Sequence, residues 1–546
     1  MNSFFNKFFK IKYSFFLVAV LWSCDLDEEL LDSSTGDDLI EQVSEELVNN
    51  PEGAATPVLN NILAVINFYN NQDNLLALQQ HTSDEMIGPT RGTDWDDGGV
   101  WRVMHTHEWD ANHPYVLNAW NSMNTGIARS FDALNTFNTA AETSGSDVLD
   151  PFIAEVRYLR AFFMYQLVDL FGQVPSLNED DEPIVLSRTE ATAFVISELE
   201  EIILQLRASS EVGTNRPTVA SANVLLARTL LNRNIYDNAP TNNEDLSAVV
   251  AACDAIINSG EFSLASNYFD MFAPDNSENA SASAEAIWVL PNSESLDNGP
   301  SASRWNMTLH YNHDLGSQVL MDAGADAPWN GFATIAEFYN AWDADGNPSN
   351  GVSTTDIRFQ DESLRDEIGS NLGFLIGQAT DADGNPVDDR NGIPLIYTVD
   401  VPIAGANESQ GVRVVKYRPD PDAAVDDLAD NDFIIMRYAD VILMKAEAQW
   451  RLGNDGDAIV LINQLREARN ANPISSISGD GSEILAERGF ELYWENYRRT
   501  DQIRFGTFLN SYSEKPNVSP ANRLVFTIPQ VALDVNPNLQ PNPGQE

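Results

Sequence analysis

Basic residues are scarce in this chain: 31 Lys and Arg stand against 82 Asp and Glu, a formal net charge of −51. A surface of that sign repels phosphate backbones, which excludes nucleic acid as a partner. It also opposes sulfated or uronate-rich polymers unless a local basic pocket intervenes. Neutral ligands meet no such barrier. Cysteine is scarcer still, with only Cys24 and Cys253 in the chain, so no disulfide framework is available and burial must hold the fold together. The GxSxG, HExxH and P-loop patterns are absent, which removes three common catalytic signatures. What is present is apolar material for a large core, at 43% of the residues.

The N-terminus gives an address. MNSFFNKFFKIKY carries Lys7, Lys10 and Lys12 with no acid, SFFLVAVLW is a short apolar run, and Ser23 stands directly before Cys24. Residues 1–23 therefore read as a secretory signal, with an apolar run well short of the roughly 20 residues that span a bilayer. A cysteine after a small residue resembles the bacterial lipobox and makes Cys24 the expected lipidation site. The plainer alternative is a secretory signal with a chance cysteine. Cleavage deletes three lysines and no acid, taking the charge to −54. Acyl chains contribute about 0.8 kcal/mol per buried CH₂, so the mature chain is expected to touch the membrane through a lipid anchor only. The adjoining DLDEELLD resembles the surface-export signal of Bacteroidetes lipoproteins, which places the chain at the outer membrane facing the medium, with residues 24–50 as an acidic tether.

Helical periodicity carries the rest. EVRYLRAFFMYQLVDLF sets Val156, Leu159, Phe163, Leu167 and Leu170 on one stripe, and Gly172 and Pro175 end it. SANVLLARTLLN begins a second helix after Pro217 and Thr218, with Val224, Ala227 and Leu231 on a common face. MRYADVILMKAEAQWRLGNDGDAIVLINQLREARN reads as helix, turn at Gly453, helix, the pattern of a tetratricopeptide unit. Further helices are expected over 56–70, 115–137, 190–206 and 246–259. Between 262 and 432, Gly, Pro, Asn and Asp abound, and the regular signals are short strands such as AIWVL and VRVVKY. The expected architecture is mostly α: a helical-pair scaffold over 51–261 and 433–546, interrupted by an irregular insertion over 262–432. Excursions of that length are often functional.

EVRYLRAFFMYQLVDLFGQVP, AEAQWRLGNDGDAIVLINQLR, ERGFELYWENYRRTDQIRFG and RLVFTIPQVALDVNPNLQPNPG together resemble the SusD/RagB family of Bacteroidetes outer-membrane lipoproteins. The resemblance implies a non-enzymatic, cofactor-free binding protein on a tetratricopeptide-like scaffold, acting as a lid on a SusC-like TonB-dependent transporter that imports oligosaccharides.

The segment TSDEMIGPTRGTDWDDGGVW, within the loop at 82–114, holds Trp95 and Trp101 without the period of a core element. Exposed indoles match the C–H faces of pyranose rings, and Asp84, Arg91, Asp94 and Asp96 supply acceptors and donors for hydroxyls. The family's glycan-binding aromatics fall in this early loop and in the insertion, so the resemblance extends to Trp305, Tyr311 and Trp329. With the charge argument, the expected ligand is a neutral glycan, a β-1,3-glucan before α-glucan, fructan or mannan. Trp109, Trp120, Trp450 and Trp494 are expected in the core.

Three other features carry weaker signals. His105 and His107 lack a third ligand at site-like spacing other than Glu108 and His113, and read as packed polar residues. The two DADGNP segments, at 343–348 and 381–386, resemble the start of a calcium loop but lack its closing glutamate, and read as turns. Glu491 and Glu495, one helical turn apart, have the spacing a glycosidase pair would need. Arg488, Arg498 and Arg499 nearby favour an ion-pair network instead. A secreted glycoside hydrolase and a helical scaffold that binds only protein remain the alternative functions.

Overall fold

A computed structural model describes residues 45–178, 180, 182–292, 305–312, 328–342, 355–362, 371–381, 383–418 and 430–545. Cys24 and the first DADGNP segment lie outside these residues, as does the side chain of Trp305.

The scaffold is a run of helices, each packed on the next. Pro114–Ser144 lies against Asp150–Leu170, that against Arg188–Ile202, and so on through Val219–Tyr236, Asn243–Ser259, Tyr438–Arg451 and Asp455–Ala468. Local chemistry sets the ends. Ser187 and Glu190 form a capping box at one helix start, as do Thr218 and Ser221 at another. Pro114 occupies the first turn of the longest helix, and Gly145 ends it at φ 61. The first two of these helices approach closely because residue 126 is glycine: a Cβ there would collide with the ring of Phe163. Pro51–Leu63 precedes them and continues as a 3₁₀ segment, Ala64–Tyr69.

The expected helices are all found, and two of them adjoin strands that helical periodicity does not reveal. After Gly172 the chain forms a hairpin, Gln173–Leu177 with Pro183–Ser187, in which Pro175 takes a strand position. Before Tyr438 the residues Phe433–Arg437 are a strand paired antiparallel with Ala286–Leu290. That pairing ties the insertion to the C-terminal scaffold. A three-stranded sheet of Gln360–Asp361, Leu372–Leu375 and Arg413–Val415 lies within the insertion. Helical and irregular parts share one continuous core, in which Trp109, Trp120 and Trp494 are buried. Trp450 is half-buried at the edge of a small satellite cluster.

Glu491 and Glu495 do form ion pairs, but with other partners than those expected. The helix Ser482–Leu492 stops before Glu495, and Trp494 and Asn496 take φ of 61 and 69. This turn aims Glu495 at Lys416 and Arg437, at 2.6 and 2.8 Å, while Glu491 meets Arg358, Arg437 and Arg469 at 3.1, 2.5 and 2.9 Å. All these groups are buried. Burial pushes the Glu491 carboxyl up, but the three guanidinium groups hold it well below its usual range. Arg488 binds Asp440 and Asp501 instead, Arg498 binds Asp84 and Arg499 binds Asp169.

Candidate functional site

The segment after Asp84 is stitched to the insertion. Ile87 and Ala333 exchange backbone hydrogen bonds of 2.8 and 3.0 Å, and the Thr90 backbone donates to Ile403 and accepts from Ala406. Arg91 and Asp94 then close a tight turn with reciprocal bonds of 2.9 and 3.1 Å, around Gly92 at φ 67. Trp95 comes next at φ 63, a conformation bulky residues rarely adopt. Its surroundings fix it there. The indole Nε1 donates to the Trp329 carbonyl oxygen at 2.9 Å, and its ring lies 4.9 Å from that of Phe332 and 5.7 Å from that of Trp101. Gly331 lies against the indole, where any Cβ would collide with the ring.

These contacts leave an open cleft of 740 Å³. Trp95, Trp329 and Tyr311 form its walls, with Trp101 and Tyr115 also lining it. The Trp95 and Trp329 rings stand 6.4 Å apart at 46°, so they are angled faces rather than a stack. Polar groups come from Gln72, Asp94, Asp97 and Arg390. The Tyr311 hydroxyl donates to Asp94 Oδ2 at 2.6 Å, and Arg390 Nη2 reaches the same oxygen at 3.1 Å. The Tyr311 hydrogen bond, with help from Arg390, lowers the Asp94 pKa. The Arg390 guanidinium lies over the Tyr311 ring at 3.9 Å and its Nε donates to Glu408 at 2.6 Å. Burial, reinforced by Asp94, raises the Tyr311 hydroxyl, which therefore remains a donor.

The candidate residues divide. Trp95, Asp94, Tyr311 and Trp329 meet at the cleft, each partly exposed. Trp101 lines it but is only 2% exposed: the expected loop is here a short helix, Val100–His105, which turns this indole inward, with Nε1 donating to Asp97. Asp96 is exposed, and Asp97 takes the lining position expected of it. Asp84 is held by Arg498 at 2.7 and 2.8 Å, away from the cleft lining. Arg91 is buried and donates to the carbonyls of Asn407 and Gly331, so it braces the turn.

Six lining residues lie outside the candidate set: Gln72, Thr93, Asp97, Tyr115, Pro328 and Arg390. Tyr115 sits in the first turn of the long helix, where the sequence signals only a helix start. Gln72 lies in the turn after the 3₁₀ segment. Arg390 had a usable signal, a lone cation in the run DDRNG. His105 and His107 are buried, and their Nε2 atoms meet the carbonyls of Ser513 and Thr82 at 3.0 and 2.7 Å. The second DADGNP segment is a turn, in which Asp381 accepts from the Asn385 backbone and side chain.

Two family models match the chain: the SusD family over residues 284–544, and "starch-binding associating with outer membrane" over residues 45–231. The chain is 27% identical over 377 residues to the starch-binding protein SusD of Bacteroides thetaiotaomicron, covering 65% of this chain and 64% of that protein, slightly less than two thirds of its length. A SusD-like protein of Formosa agariphila is 25% identical over 415 residues, 71% of each chain. Among solved structures, a SusD superfamily protein from Parabacteroides distasonis superposes with a TM-score of 0.69 at 18% identity, over 91% of this chain and 99% of that one. Surface glycan-binding protein A from Bacteroides thetaiotaomicron, solved in complex with laminarihexaose, gives 0.62 at 19% identity, over 90% and 99%. Fold and sequence agree, and the chain belongs to the SusD/RagB family.

Proposed function

We propose that this protein binds a neutral oligo- or polysaccharide in the Trp95 cleft, at the bacterial surface, and passes it to a TonB-dependent outer-membrane transporter. The observation that carries the reading is the convergence of Trp95, Trp329 and Tyr311, from separate parts of the chain, on one open cleft. The axial C–H groups of a pyranose carry partial positive charge and pack on electron-rich ring faces. Asp94, Asp97, Gln72 and Arg390 supply acceptors and donors for the hydroxyl groups between the rings. The starch-binding relative supports a neutral glucan, and the acidic surface disfavours charged polymers. A β-1,3-glucan is the first polysaccharide to test. Lipidation at Cys24 supplies the anchor.

Binding without cleavage fits the cleft. Its carboxylates are Asp94, which is held ionised by Tyr311 and Arg390, and Asp97, which accepts from the Trp101 indole. The pair Glu491 and Glu495 is buried in ion pairs. A general acid would need a raised pKa near the scissile bond. Incubating the protein with laminarin, starch, inulin and mannan, and assaying both retention and new reducing ends, tests this. Retention without new ends is expected. New ends would make it a hydrolase, and neither signal would leave a protein-binding scaffold.

A further inference from the structure

The aromatic cleft does not end at Arg390. A second cleft of 530 Å³ opens beyond it, and the two share Thr93, Asp94 and Arg390 as lining. The second has no aromatic wall. Its lining side chains are mostly polar or charged, including Asn391, Asn407 and Ser409; of its two apolar side chains Ala406 is buried and Ile393 is left 58% exposed. Its shape is built in. Asp389 Oδ1 accepts from the backbones of Asn391 and Ile393 at 2.8 and 3.0 Å, which fixes the turn that carries Ile393. Arg390, between the clefts, is held by Asp94, Glu408 and the Tyr311 ring.

From this continuity we infer that the two clefts form one groove, in which a single glycan chain crosses Arg390 and places further sugar units against Ile393. The inference rests on the glycan reading of the first cleft and adds selection for chain length. Each cleft alone is within the size range of an ordinary ligand site, about 300–1,000 Å³. A short oligosaccharide therefore fills the aromatic part and gains nothing from the second. A longer chain keeps its ring stacking and adds apolar contact with Ile393 and hydrogen bonds to the surrounding amides and hydroxyls. Because Asp94 and Glu408 already engage Arg390, the ridge it forms is pre-positioned and costs little further ordering when a chain passes over it.

The test is calorimetric titration with laminaritriose and laminarihexaose, and with maltotriose and maltohexaose, on the unaltered protein and on Ile393→Ala and Ser409→Phe. The first substitution removes the exposed apolar contact and the second fills the polar cleft. We expect a hexasaccharide of the recognised linkage to bind roughly tenfold tighter than its trisaccharide, the size of gain expected from one apolar contact and a hydrogen bond. In both variants that ratio should fall toward one, with unchanged melting temperatures showing that the fold is intact. Equal affinity for the two lengths, or a ratio that survives both substitutions, overturns the groove and leaves glycan binding standing. No binding of any of the four sugars by the unaltered protein overturns the groove together with the glucan reading beneath it.

Discussion

The indole nitrogen of Trp95 donates a 2.9 Å hydrogen bond to the main-chain oxygen of Trp329, 234 residues further along the chain. One wall of the cleft is thereby held by the backbone of the other, so Trp95 both lines the proposed glycan site and forms part of the joint between scaffold and insertion. The sequence context of Trp95 lacks the period of a core element, yet its ring packs on those of Phe332 and Trp101.

Trp95→Ala should therefore weaken glycan binding by about tenfold or more and also lower stability by about 2 kcal/mol, less than the roughly 3 to 5 kcal/mol of a fully buried tryptophan. Gly331→Ala should reproduce part of both effects by displacing the indole, without altering any side chain of the cleft wall. Calorimetry and thermal melting on the same samples check both.

Glu85 lies within the segment that carries Trp95, fully buried, with one carboxylate oxygen accepting from the Trp494 backbone at 3.0 Å. Burial raises its pKa to about 8, against the partial opposition of Arg498. The folded state thus holds a proton that the unfolded state releases near its ordinary value of 4.5. The stabilisation is fully present below that value and is lost as pH rises through about 8. Glu85→Gln should remove this slope, seen as the difference between the melting-temperature profiles of the two proteins from about pH 5 to about pH 9.

Arg437 bridges Glu285, Glu491 and Glu495 at 2.8, 2.5 and 2.8 Å, with every partner buried. Removing it leaves three carboxylates short of a cation. Arg437→Met should cost about 3–5 kcal/mol, measured as a shift in the denaturant midpoint at constant slope. Loss of under 1 kcal/mol would show that Lys416, Arg358 and Arg469 compensate, on the scale of roughly 0–1 kcal/mol typical of exposed pairs.

Cys24→Ala should release the protein from the membrane fraction of cells lacking the partner transporter. Among the described residues no helix is long and apolar enough to cross a membrane, so on this reading acyl chains supply the attachment. Continued retention of the variant would contradict lipidation at that residue.

The scaffold was legible because long amphipathic helices announce themselves by period. Short elements did not. The six-residue helix Val100–His105 spans fewer than two turns, too few to reveal a period, and Gly98 and Gly99 before it read as loop. Of the strand Phe433–Arg437, Met436 and Arg437 read as the start of the following helix, because Met436 continues that helix's apolar pattern. Glu491 and Glu495 show the same limit: four residues apart means one helical face only while the helix lasts, and it ends at Leu492. Of the cleft, Trp95, Asp94, Tyr311 and Trp329 could be named from residue type together with the family resemblance. Tyr115 could not, since its role arises from long-range packing that no local pattern encodes, whereas Arg390 is marked locally as the lone cation in DDRNG.

The most direct measurement is calorimetric titration of the protein and of Trp329→Ala with the polysaccharide that the panel identifies. The half-exposed Trp329 ring lines the cleft, while its backbone oxygen, which holds Trp95, survives the substitution. The account predicts saturable binding by the unaltered protein, a loss of about tenfold or more in the variant, a nearly unchanged melting temperature and no new reducing ends. Undiminished affinity in Trp329→Ala, or cleavage of the polysaccharide, would contradict it.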